Sequence, residues 1–160
     1  MIRQKDRFFV YQRGGEKSQY KEKRLQSKIS VGIGGHIEPF DNSLLDSLYR
    51  ELDEEVVFEK NGRVINLKDR QGKIDKNLFS NLAKIKIIGL IKYETDEVGL
   101  VHFGLACEVN LIDPKIGIKV REDEENIEGR MITAKEYQNL TKGGSVKVET
   151  WTKILMEEIK

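Results

Sequence analysis

The chain has 160 residues, 38% of them hydrophobic and 34% charged, which suffices to bury a core without disulfide or metal staples. Its 28 basic and 27 acidic residues leave a formal charge of +1, which excludes the global basic field of a protein drawn to nucleic acid or acidic membranes. The lone cysteine, Cys107, excludes an internal disulfide, and no apolar run approaches the ~20 residues needed to span a bilayer.

In chain order, Arg7-Phe8-Phe9-Val10-Tyr11-Gln12 reads as a first strand, and a loop of glycines and charges leads to a second at 29 to 34. A helix follows over 43 to 56 and runs into Val56-Val57-Phe58-Glu59-Lys60, which reads as a strand. Asn61-Gly62 before Val64-Ile65 is a hairpin signal. A short helix is expected over 76 to 83, then two long apolar strands, 85 to 93 and 98 to 110, ended by Asp113-Pro114. A strand over 127 to 132, a short helix over 134 to 140 and a terminal helix over 148 to 159 complete the pattern, with Trp151, Ile154, Leu155 and Ile159 facing inward. There is no internal repeat, low-complexity tract or linker, so one domain over 1-160 is expected. Strands outnumber helices and are mixed with them, which indicates an α+β chain or a three-layer sandwich. The start, Met1-Ile2-Arg3-Gln4-Lys5-Asp6, is not a secretory signal, and a cytoplasmic location with no membrane contact is expected.

The most informative stretch joins Gly34-Gly35-His36-Ile37-Glu38-Pro39-Phe40-Asp41 to Arg50-Glu51-Leu52-Asp53-Glu54-Glu55. Winding 43 to 56 at about 100° per residue gathers Leu44, Leu45, Leu48, Leu52 and Val56 on one arc and turns Asp46, Arg50 and Asp53 away. Glu51 and Glu55 fall one turn apart on the edge of that arc, where like charges repel by a few tenths of a kcal/mol. A hard divalent cation relieves that repulsion, and Mg²⁺ is usually held by one or two carboxylates together with substrate phosphates. An ordinary amphipathic helix with a solvated acidic face is the bland alternative, and the spacing of the glycines and carboxylates argues against it. The Gly32-x-Gly34-Gly35 string is not a dinucleotide loop, because Ile37 holds the last glycine position of that pattern.

At these residues the chain resembles the Nudix hydrolase superfamily, whose signature runs G-x5-E-x7-R-E-U-x-E-E-x-G-U with U aliphatic. Gly35 opens the motif, and Arg50-Glu51-Leu52 and Glu54-Glu55 match its second half. Three departures stand out: Asp41 replaces the first Glu, the interval from Asp41 to Arg50 is one residue longer than the signature allows, and Val57 replaces the final Gly. The resemblance implies a three-layer α/β/α sandwich with a mixed β-sheet. It also implies hydrolysis of a phosphoanhydride in a nucleoside diphosphate linked to another group, or in a related nucleotide. In that scheme Glu51, Glu54 and Glu55, with the Gly35 carbonyl, hold Mg²⁺ or Mn²⁺, and the metal lowers the pKa of a water that attacks phosphorus. Arg50 orients the carboxylates and Asp41 braces the join of loop and helix.

Two residues are candidates for the proton acceptor: Glu54 inside the motif and Glu97 in a loop outside it, where a solvated turn residue is the bland reading. Substrate contact is expected from at least one of Arg13, Lys17 and Arg24 in a basic loop that otherwise reads as solvated, and from His36, which equally well only fixes the turn. Tyr20 and Phe103 could stack on a base or simply pack, His102 reads as a hydrogen-bonded sheet residue, and Cys107 reads as core filler. Among rival classes, a non-catalytic nucleotide-binding module is disfavoured by the intact glutamates. An isoprenoid diphosphate isomerase is disfavoured because no cysteine precedes the motif. The near-neutral charge gives no support to a nucleic-acid partner. The expected partner is a small nucleotide or diphosphate, and a homodimer is compatible with the sequence.

Overall fold

The computed structural model describes residues 1–14, 25–94, 100–122 and 125–158. Among them, β1 (Ile2–Gln4), β2 (Arg7–Gln12), β3 (Ile29–Ser30), β6 (Ala83–Lys92), β7 (Phe103–Leu111) and β10 (Arg130–Thr133) form one sheet in the order β10-β2-β1-β7-β6, with β3 also on β2. That sheet is mixed, because β1 runs parallel to β7 while the other pairs are antiparallel. A second, antiparallel sheet holds β5 (Arg63–Ile65), β4 (Val56–Lys60), β8 (Ile116–Glu122) and β9 (Glu125–Glu128), in that order. Among the described residues the helices include α1 (Leu44–Glu55), α2 (Lys76–Leu82), α3 (Ala134–Thr141) and α4 (Thr150–Glu158).

The period-2 rule of strands explains the layering. On β2, Phe9 and Tyr11 join Ile2, Val109, Leu52, Phe58, Phe79 and Val120 in the larger core, under α1, α2 and the second sheet. Phe8 and Val10 point the other way and join Val31, Ile132 and Tyr137 in a smaller core, with Leu140 of α3 and Leu155 and Met156 of α4 packed against it. Both faces of β2 are therefore buried, and the main sheet lies between two helical layers. The fold is an α+β sandwich built on a mixed sheet, as expected.

Several local expectations hold for clear physical reasons. Ser43 caps α1 by accepting from the Asp46 N–H, and Asp75 caps α2 by accepting from Asn77 and Leu78. Asn61 and Gly62 both take positive φ, 53° and 74°, which a two-residue hairpin turn between β4 and β5 requires. Other expectations are corrected. The second strand ends at Ser30 rather than 34, and β7 begins at Phe103, with Leu100 and Val101 outside it, while the expected start at Val98 lies outside the described residues. The strand expected over 127 to 132 is two strands, β9 and β10, parted at Gly129. A Cβ there would overlap the Phe9 ring and the Val10 carbonyl. Leu44 and Leu45, expected on the apolar arc of α1, are exposed, and the helix instead buries Ser47, Glu51 and Leu52.

Candidate active site

The loop between β3 and α1 begins on a fixed anchor, the Tyr11 hydroxyl donating to the Gly32 carbonyl at 3.0 Å. Two glycines then meet different needs. Gly34 takes φ 142°, a conformation that side chains resist, and its N–H donates to Glu55 Oε2 at 3.0 Å. Gly35 lies outside the left-handed region. A Cβ on it would stand 2.5 Å from Glu51 Oε2 and 2.7 Å from Oε1, so glycine there permits close approach to the carboxylate. Past His36 the chain turns at Pro39. Asp41 N–H donates to the Glu38 carbonyl at 3.0 Å, and Glu38 N–H donates to Asp41 Oδ2 at 2.9 Å.

Arg50 ties this loop to α1. Its Nε donates to Asp41 Oδ1 at 3.2 Å and its Nη2 to Asp41 Oδ2 at 3.0 Å, a bidentate pair. Nη2 also reaches the His36 carbonyl at 2.8 Å, and Nη1 reaches Glu51 Oε1 at 2.7 Å and Glu54 Oε2 at 3.1 Å. The guanidinium lies 5.7 Å from the centre of the Phe40 ring. Arg50, followed by the Glu38 N–H, holds the Asp41 carboxyl down at about 2, and Asp41 followed by Glu51 pushes the Arg50 pKa well above its ordinary value. Asp41 lies two residues before the Ser43 cap, so the extra residue of the motif is taken up outside the helix and the spacing of Arg50, Glu51, Glu54 and Glu55 is unchanged.

The end of α1 is equally specific. Val57 stands where the signature has its final Gly, and the helix runs directly into β4 as expected, Val56 N–H closing it on the Leu52 carbonyl before the backbone becomes extended. Arg121 of β8 supplies the missing cap through Nη1, which donates to the Glu54 carbonyl at 2.9 Å and the Asp53 carbonyl at 3.3 Å. Local sequence carries no sign of this residue, because it arrives from a strand 67 positions away. Ser47, whose hydroxyl donates to the His36 carbonyl at 3.4 Å, had a faint signal as a small polar residue one turn before Glu51 on the buried side.

The glycine loop thus meets the C-terminal half of α1, with Gly35 against Glu51, Gly34 on Glu55, and Arg50 joining Glu51 to Glu54. Glu51 is buried, only 8% exposed, while Glu54 is open to solvent. The donor set is all oxygen, the ligand type that a hard cation such as Mg²⁺ takes, and the bare Gly35 backbone closes directly on Glu51. Among the described residues, no three His, Cys, Asp or Glu side chains already converge as a cage, with Arg50 Nη1 drawing both Glu51 and Glu54 onto itself.

The remaining candidates are dispersed. The His36 ring is exposed and meets the His102 ring edge-on at 5.7 Å. Arg13 packs over the Tyr11 ring at 5.6 Å and lies 3.7 Å from Glu149. Phe103 is exposed, and burial pushes the half-buried Cys107 thiol up in pKa. Lys17, Arg24, Glu97 and Tyr20 lie outside the described residues.

No protein-family profile matches the chain. It is 28% identical over 165 residues to protein YmaB of Bacillus subtilis (strain 168), covering 98% of this chain and 66% of that protein. The crystal structure of Tm1382, itself proposed to be a Nudix hydrolase, superposes with a TM-score of 0.63 at 23% identity, over 99% of this chain and 66% of Tm1382. The chain therefore spans a little under two thirds of the length of each.

Proposed function

We propose that this chain is a metal-dependent hydrolase of the Nudix type, acting on a phosphoanhydride in a nucleoside diphosphate linked to another group or in a related nucleotide. The observation that carries this reading is the closing of the glycine loop on α1, with Gly35 against Glu51, the Gly34 N–H on Glu55, and Arg50 holding Glu51 and Glu54. The likeness in fold to Tm1382 supports it.

Glu51, Glu54, Glu55 and the Gly35 carbonyl are the groups that hold Mg²⁺ or Mn²⁺, which when bound neutralises phosphate charge and makes water a better nucleophile. The chain's own work is positioning. Arg50 fixes Glu51 by a 2.7 Å bond and fixes the loop through Asp41 and the His36 carbonyl, so loop and carboxylates keep one relative geometry. Glu55 is set by the Gly34 N–H. Arg50 is saturated by these partners and serves as a positioning residue rather than a phosphate clamp. Glu54, exposed at the cluster's edge, and Glu97 are the two proton acceptors to be compared. His36, Arg13, Lys17 and Arg24 are the groups assigned to substrate contact.

The test is a panel of nucleoside diphosphate sugars, dinucleoside polyphosphates, ADP-ribose and nucleoside triphosphates, assayed with Mg²⁺ and with Mn²⁺ for released phosphate or pyrophosphate. Turnover of at least one class, abolished by chelation, is expected. Tight nucleotide binding with no turnover of any compound would instead make the chain a nucleotide-binding module.

A further inference from the structure

The main sheet carries an apolar face that its own helices do not cover. Directly paired residues of neighbouring strands point to the same side. Ile85 faces Val109, and Val109 lies in the larger core, so this side is the one packed under α1 and α2. Two residues at a time along β7, the same side continues through Cys107 and Leu105 to Phe103, opposite Ile87, Leu90 and Lys92 of β6. There the cover stops: Leu90 and Phe103 are each 71% exposed, and Ile87 is 55% exposed. Leu100 and Val101 extend the patch beyond the strand ends, with Lys92 Nζ donating to the Leu100 carbonyl at 3.1 Å. A bulge at Ile88 adds a further exposed side chain.

We propose that a second copy of this chain docks on this face. The area suits it. Ile87, Ile88, Leu90, Leu100, Val101 and Phe103, at roughly 100 Å² of apolar surface each, present on the order of 600 Å². With a polar rim added, that approaches the ~800 Å² per partner of a stable interface. The charge also suits it, because a two-fold contact sets each group against the same patch and a patch of one sign repels itself. All six side chains are uncharged. Lys84 and Lys86 project to the opposite side of the sheet, and Lys92 lies 3.7 Å from Glu94. The outer edge of β6 has no strand partner among the described residues, and its lysines discourage open-ended edge pairing, which leaves the face as the contact. The His36–His102 contact puts this face beside the glycine loop, so the second copy sits next to the candidate active site.

The proposal does not depend on the hydrolase reading, and its test does not use activity. Sedimentation equilibrium of the full chain from 1 to 100 µM is expected to give twice the chain mass at the upper end. Leu90→Glu and Phe103→Glu should each raise the dimer dissociation constant at least tenfold, whereas Val64→Glu, at an exposed site on the other sheet, should not. Circular dichroism checks that the variants fold. Hydrogen exchange on the wild type, which needs no variant, should show protection of 87 to 90 and 103 to 105 rising with concentration. A wild-type monomer over the whole range, a dimer indifferent to both β6 and β7 variants, or concentration-independent exchange on these segments would each overturn the proposal.

Discussion

Replacing Gly35 with alanine tests whether the loop truly closes on Glu51. The new Cβ would stand 2.5 Å from a Glu51 oxygen where ordinary contact begins near 3.4 Å, so the carboxylate must retreat by about 0.9 Å (3.4 − 2.5). A shift of that size either breaks the 2.7 Å bond to Arg50 or crowds the guanidinium against Asp41 and His36. Loss of one charge-assisted bond on a buried carboxylate costs about 2 kcal/mol, which for a chain of this size lowers the melting temperature by roughly 4–8 °C. Misplacing a ligand carboxylate by nearly 1 Å should lower turnover by ~10²-fold. The assay pairs a thermal melt with initial rates on the best substrate of the panel. A double-mutant cycle then isolates the cause: in a Glu51→Ala background the added Gly35→Ala should cost little further stability. An unchanged melt and unchanged turnover in Gly35→Ala alone, or full additivity in the cycle, would refute the reasoning.

Three further outcomes are expected. Glu55→Gln should abolish metal-dependent turnover while the metal-free melt stays level or rises, since the amide oxygen still accepts from the Gly34 N–H and a like charge is removed beside Glu51; wild-type turnover would deny Glu55 its role. The Asp41 carboxyl lies below its unfolded value of about 3.9, near 2, so its stabilising contribution is complete above pH ~4 and is lost as pH falls toward 2. Urea midpoints of wild type and Asp41→Asn should therefore differ above pH 4 and converge toward pH 2, and a constant difference would contradict the pairing. Glu97→Gln should lower kcat by roughly 10²-fold with metal affinity unchanged and should lose the acidic limb of the pH-rate profile if that carboxylate takes the proton; a wild-type profile returns the role to Glu54.

What the sequence could convey depended on how local the cause was. The Leu48–Leu52–Val56 spacing and the Asn61-Gly62 turn act within a few residues, and α1, β4 and the hairpin were legible from them. The exposure of Leu44 and Leu45 beside a buried Glu51 was not, because periodicity takes leucines inward and carboxylates outward. Arg50 reverses that preference by compensating Glu51, and only the fold brings the loop to Arg50. The same holds for the end of α1, where a guanidinium from β8 takes the place of a glycine. The break at Gly129 is likewise set by Phe9, a residue far away in sequence. At the candidate site, the motif spacing brought Gly35, Arg50 and the three glutamates into view, and the distinct needs of Gly34 and Gly35 emerged only with backbone geometry.

The most direct measurement of the central claim is turnover in ¹⁸O-labelled water with Mg²⁺, followed by ³¹P NMR of the products. Attack of water on phosphorus predicts one ¹⁸O in a product phosphoryl group, dependent on the metal and lost in Glu55→Gln. Products formed without label, label retained in metal-free protein, or nucleotide bound but never cleaved would contradict it.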